Sequence, residues 1–196
     1  KGTGVLQPPT LMCTVGGVDF DGIIRYLEDN PEQMRLAPTI ETYPGYDASY
    51  LRSNPNHHVL VGLRKLFGEL REKGELPVSR DTLIYIQSLI PGQVHLNCTR
   101  HQGIDGSDVF DLTKAEIEGH IQNLKLVETL RKHVPGFEKC YLTQIYPFLG
   151  VRESRRFHGI RTLTEDMLLG GVIGEDSVGI GSYIIDIHMG EGSGTI

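Results

Sequence analysis

Apolar residues recur along the chain with two different periods, and each period predicts a different kind of element. Residues 10–15 are short, apolar and followed by Gly16-Gly17, which suits a strand ending in a turn. Ile23, Ile24 and Leu27 then recur at helical spacing within residues 19–28. Between residues 31 and 55 the periodicity dissolves among Pro38, Pro44, Gly45 and Asn54. That stretch reads as a loop or broken segment, either a functional cover or a surface excursion. Residues 59–73 read as a helix with Leu63, Leu66, Phe67 and Leu70 on one stripe and Gly74 placed to end it.

Residues 82–90 and 93–99 flank Pro91-Gly92 and read as two strands joined by a turn. In the second, Val94, Leu96 and Cys98 share one face while His95, Asn97 and Thr99 share the other, because strand side chains alternate. The polar face either meets water or lines a cavity. The strongest helical pattern starts at Thr113, where Thr113 and Glu116 form a capping-box pattern. Its apolar stripe is Ile117, Ile121, Leu124, Val127 and Leu130, and Pro135-Gly136 stops it. Residues 139–146 read as a strand and 164–169 as a short capped helix. In residues 182–188, Tyr183, Ile185 and Ile187 alternate with Ile184, Asp186 and His188. Strands outnumber long helices and are not strictly interleaved with them, so the expected fold is α+β, a mixed, largely antiparallel sheet packed against helices.

Composition narrows the function classes. With 196 residues and 39% hydrophobic content the chain can bury a substantial core. No apolar run reaches the roughly eighteen residues of a membrane span. A net charge of -6 speaks against a general nucleic-acid binder, which needs a broad basic face. Cys13, Cys98 and Cys140 are widely spaced, without a Cys-x-x-Cys pair, and are expected to be buried thiols rather than metal ligands or a disulfide framework. The compartment stays open between cytoplasm and periplasm. The start at Lys1 and the glycine-rich residues 190–196 suggest a piece of a longer polypeptide, with residues 1–189 as a domain and 190–196 as a connection.

One stretch departs from the acidic background. Residues 151–161 hold four arginines and one glutamate, so they carry +3 while the remainder carries -9. Guanidinium is a rigid, permanently charged fork suited to carboxylates, phosphates and developing negative charge. The run is therefore either an anion-holding site or an ion-paired surface segment. If extended, Arg152, Ser154, Arg156 and His158 share a face, with Glu153, Arg155 and Phe157 on the other. A helix would group Arg152, Arg155 and Arg156. Asp186 and His188, two apart on one strand face, could tune an imidazole for proton shuttling, or His188 could be a structural residue. His57-His58 shows no metal-ligand spacing. A Gly-x-Ser-x-Gly elbow, a phosphate loop and a Gly-x-Gly-x-x-Gly turn between strand and helix are all missing from the sequence.

Six blocks, in order, resemble one bacterial family of FAD-dependent oxidoreductases. They are Gln7-Pro8-Pro9-Thr10-Leu11-Met12 with Val18-Asp19, Asn97-Cys98-Thr99-Arg100, the run from Leu112 to Gly119, Pro135-Gly136-Phe137-Glu138, Gly150-Val151-Arg152-Glu153-Ser154-Arg155-Arg156, and Tyr183-Ile184-Ile185-Asp186-Ile187-His188. The Arg-Glu-Ser-Arg-Arg and Asp-Ile-His blocks are the most specific. The resemblance implies a two-domain flavoprotein in which this chain is the substrate domain, inserted in an FAD-binding domain of the same polypeptide. FAD is then the cofactor of the full-length protein and is not expected on this chain alone. The implied activity is oxidation or reduction of a small-molecule substrate, with flavin supplying the hydride chemistry. Arg152, Arg155 and His188 would be catalytic; Arg156, Asn97 and Arg100 would bind substrate; Glu153 and Ser154 would lie on the cofactor side. No metal, nucleic acid or membrane is implied. The rival reading is a stand-alone ligand-binding or interaction module without redox activity; a hydrolase is a third, lacking a nucleophile motif.

Overall fold

The computed structural model describes residues 5–34, 45–56, 59–155 and 157–181. Five strands form one sheet: β1 (Cys13–Gly16), β2 (Val59–Gly62), β3 (Leu83–Gln87), β4 (Val94–Leu96) and β5 (Tyr141–Ile145). Their spatial order is β2-β3-β4-β1-β5, and every pairing is antiparallel. Helices α1 (Phe20–Asp29), α2 (Ala48–Ser53), α3 (Arg64–Glu72), α4 (Val109–His133) and α5 (Glu165–Leu169) complete the regular structure of the described residues, with a 3-10 turn at Pro31–Met34. The fold is α+β, as expected from strands that outnumber long helices without strict interleaving.

Register decides which side chains enter the core. Leu60 pairs with Tyr85, Tyr85 with Leu96, Leu96 with Cys13, and Cys13 with Ile145, so one row of side chains crosses the sheet on a single face. Ile23, Ile24 and Leu27 of α1, Phe67 of α3, and Leu126, Val127 and Leu130 of α4 pack with it in one core. Each such side chain contributes about 1.5–3 kcal/mol when fully buried. The cysteines are free and buried, and burial pushes the Cys13 thiol up to about 12 and those of Cys98 and Cys140 to about 11.

The other face is different. Val59 pairs with Ile86, Ile86 with His95, His95 with Thr14, and Thr14 with Gln144, forming a second row. Val59 and Ile86 are 45% and 40% exposed, and no residue of this row belongs to the core. Among the described residues, the helices that build the core cover only one face of the sheet.

Two sequence expectations change. Residues 59–73 do not form one helix: Val59–Gly62 pairs along β3 instead, and the chain turns into α3 at Leu63, which has φ 59. The β-branched Val59 and Val61, beside an available strand, favour pairing over helical spacing. The Leu63 amide donates to the carbonyl of Gln33, which holds that turn. The long helix begins earlier than Thr113: Asp108 caps it by accepting from the amides of Phe110 and Asp111. Thr113 lies inside, its hydroxyl donating to the Val109 carbonyl. Val127 and Leu130 are buried as expected, but Ile117, Ile121 and Leu124 are exposed, and Ala115, Gly119, Asn123 and Leu126 take the inward side.

Elsewhere the expected elements stand close to their predicted places. Asp19 caps α1, Thr164 caps α5, and Gly74 at φ 69 follows α3. The stretch between residues 31 and 55 is broken into the 3-10 turn and α2, with residues 35–44 outside the description. Residues 182–188 and 190–196 also lie outside the described residues, and with them Asp186 and His188.

Candidate functional site

Three chain segments meet at one end of the sheet. β1 begins there at Cys13, β4 ends at Leu96, and β5 ends at Ile145. Beyond these ends the pairing continues: the Tyr146 amide donates to the Met12 carbonyl, and Thr10 and Gly150 exchange both backbone hydrogen bonds, at 3.2 and 2.8 Å. The arginine-rich stretch therefore starts from a fixed point, beside the segment that carries Asn97 and Arg100.

Residues 151–155 are neither helix nor strand. They form a strap with two anchors. The Glu153 carboxylate accepts from the Gln7 amide at 2.9 Å. A Cβ added to Gly106 would stand 2.5 Å from Val151 Cγ1 and 3.1 Å from the Glu153 carbonyl, so the strap lies directly against the loop before α4 and only glycine fits beneath it. Arg152, Ser154 and Arg155 are exposed and Glu153 half-buried. Among the described residues, Arg152 and Arg155 have no ion pair or hydrogen bond. The Arg155 charge reaches Asp105, whose carboxyl is held low chiefly by hydrogen bonds from the Ser107 hydroxyl and amide, with Arg155 adding to the effect.

Arg100 is buried at 4% exposure, and His101 beyond it is 1% exposed. The His101 amide donates to the Pro9 carbonyl, while neither ring nitrogen has a partner among the described residues. Burial lowers its affinity for a proton, and Glu118 opposes that only in part. Thr99, expected on the polar face, is fully buried, its hydroxyl donating to the Leu11 carbonyl and accepting from the Leu11 amide. That bond, with one from Asn123 to the same carbonyl, fixes the strand entry beside α4.

On the uncovered face, Thr14, His95 and Tyr146 form a cluster. His95 Nδ1 is 2.9 Å from the Thr14 hydroxyl and 3.1 Å from the Tyr146 hydroxyl, and the two rings meet edge to face at 6.0 Å. Two residues on from His95, just past the end of β4, the buried Asn97 Oδ1 has no partner among the described residues. Alternation in the sequence already put His95 and Asn97 on one face. Thr14 and Tyr146 were not legible, since their approach depends on the register of β1 with β4 and β5.

The whole chain, residues 1–196, matches the family model described as FAD dependent oxidoreductase. The chain belongs to that family. No curated protein and no solved structure matches it. FAD is accordingly the cofactor of the full-length family member, while the turn from β1 into α1, with Gly16, Gly17 and Gly22, does not make a dinucleotide cradle. A Cβ at Gly17 would stand 2.6 Å from the Lys139 carbonyl, at Gly16 2.9 Å from the Tyr141 ring, and at Gly22 2.9 Å from Asp19 Oδ2. The space those glycines leave is filled by protein. The α1 N-terminus, where a pyrophosphate would sit in a dinucleotide fold, is capped by the Asp19 carboxylate, which would repel it. That turn thus does not fit the phosphates of FAD. Among them there is also no group of three or more His, Cys, Asp or Glu arranged to hold a metal ion, and no helix long and apolar enough to cross a membrane.

Proposed function

We propose that this chain is the substrate-binding part of an FAD-dependent oxidoreductase, orienting a small, anionic substrate against flavin held by another part of the same polypeptide. The observation that carries this reading is the strap of residues 151–155. It is held by the backbone pairing of Gly150, by the Glu153 carboxylate and by packing against Gly106, yet the guanidinium groups of Arg152 and Arg155 are exposed and make no ion pair or hydrogen bond among the described residues. A strap held in this way, with arginines free of ion pairs and hydrogen bonds among the described residues, is preorganised for a ligand, because less ordering remains to be done when the anion arrives. Arg100 and Asn97 contribute from the adjoining end of β4, Arg156 and His188 from the strap's continuation and the chain's return, and Glu153 and Ser154 face the cofactor side.

Two measurements test it. The full-length protein should purify with the absorption bands of oxidised flavin. Arg152→Ala and Arg155→Ala should each weaken binding of an anionic substrate roughly ten- to hundred-fold, the worth of one hydrogen bond to a charged group. A colourless full-length protein, or arginine variants that bind anions as tightly as the native protein, would overturn the reading.

A further inference from the structure

The uncovered sheet face has the composition of a small-molecule site rather than of a solvated surface. Its two rows, read across the strands, are Val59, Ile86, His95, Thr14 and Gln144, then Val61, Ile84, Asn97, Met12 and Tyr146. No residue in either row carries a formal charge apart from what His95 can acquire. The β2 and β3 side is apolar; the β4, β1 and β5 side holds the hydroxyls, the imidazole and the amide. Asn97 Oδ1 is a buried acceptor without a donor among the described residues, an unfavourable state unless something supplies one. The missing complement is a molecule with an apolar body and an O–H or N–H group.

We infer that Thr14, His95 and Tyr146 form a proton-accepting site on this face, with His95 Nε2 taking the proton of a substrate hydroxyl whose apolar body lies over Val59, Val61, Ile84 and Ile86. All hydrogen bonds of His95 among the described residues converge on Nδ1. In the tautomer with the proton on Nδ1, that N–H donates to the Thr14 or Tyr146 oxygen and Nε2 keeps its lone pair. When the substrate O–H bond breaks, the N–H bond forms at Nε2, and the same two oxygens accept from Nδ1–H of the resulting imidazolium. No group at Nδ1 has to move, and the alkoxide or phenolate formed stays paired with the cation. Asn97 Oδ1 accepts a second hydrogen from a substrate hydroxyl or amino group. The substrate class is a neutral or singly charged organic molecule with an ionisable hydroxyl next to an apolar frame.

This inference deepens the proposed function by naming the partner of the substrate's reacting hydroxyl, and it can fail separately. The test uses full-length protein and 4-nitrophenol as the probe, since its phenolate is yellow and reports proton transfer without turnover. Near pH 6, native protein should bind the probe and raise its phenolate fraction about tenfold over free probe, equivalent to one unit of displaced ionisation. His95→Gln should remove that increase. Tyr146→Phe, which keeps the ring contact and removes the hydroxyl, should retain binding and reduce the increase several-fold, a result a merely structural tyrosine would not produce. Absence of probe binding by native protein, an unchanged phenolate fraction on binding, or a His95→Gln variant equal to native would overturn the inference. Flavin absorbance of the same preparation reads the proposed function on its own, so loss of one leaves the other standing or fallen by separate data.

Discussion

A histidine can be pinned by packing more firmly than by hydrogen bonds, and His101 shows what that does to its chemistry. It is 1% exposed with both ring nitrogens unpartnered among the described residues, and burial lowers its pKa from the ordinary 6.5. The unfolded chain therefore binds a proton that the folded chain refuses. Stability should rise as pH rises toward 6.5, level off above it, and fall as the solution is acidified through the window below 6.5. Urea unfolding at pH 5 and pH 7 reads this slope. His101→Gln, which cannot titrate, should show a smaller difference between the two pH values than native protein; an equal difference would show that other groups set the slope. The buried thiols make the converse point. Cys13, Cys98 and Cys140 are held protonated by burial, so they behave as small apolar side chains and not as nucleophiles.

Helix α4 shows how an element's face is chosen by its neighbour. Its most apolar stripe, Ile117, Ile121 and Leu124, points outward, while Ala115, Gly119 and Asn123 point in. Small residues win the inner position because the strand entry at Leu11 passes so close. A Cβ on Gly119 would stand 2.8 Å from Leu11 Cδ2, 2.9 Å from Leu11 Cβ and 3.1 Å from His101 Nε2. Gly119→Ala consequently sets two effects against each other. Alanine raises helix propensity by about 1 kcal/mol, but overpacking costs about 1–3 kcal/mol. The clash involves a Cβ and a buried ring with no room to yield, so the net result should be a loss of about 1–2 kcal/mol and a melting temperature lower by several degrees. A variant as stable as native would mean that α4 slides outward at little cost.

At the scale of the whole molecule, the layer arrangement sorts the chain into a part that holds itself together and a part that faces something else. The core face of the sheet is closed by α1, α3 and α4, while on the opposite face Val59 and Ile86 are exposed and Thr14 is buried, and Arg152, Ser154 and Arg155 of the strap are exposed. Gly106 packs against the strap, because the loop it occupies lies beneath Val151 and Glu153. Gly106→Val should lift the strap, leaving global unfolding little changed while weakening anion binding by several-fold in the same assay used for Arg152→Ala. If binding survives unaltered, the strap's position against that loop has no part in recognition. Flavin, by contrast, should be retained by this variant, since the proposed function assigns flavin to another part of the polypeptide.

Local chemistry in the sequence was enough to determine the class of fold, the β3–β4 pair around Pro91-Gly92, the capped helix at residues 164–169, the buried state of the thiols, and the family. Each of these depends on residues close in sequence or on an ordered set of blocks. The end of the sheet where Asn97, Arg100 and the arginine-rich run come together was not available from spacing, nor were the hydroxyls of Thr14 and Tyr146 at His95. Those proximities are made by the pairing of strands separated by 81 to 129 positions, and a shift of one residue in register would turn every one of those side chains to the opposite face. Tertiary structure alone likewise decided that residues 59–62 pair as a strand and that α4 buries its small side chains. In both cases an adjacent strand supplied a contact stronger than the local preference it displaced.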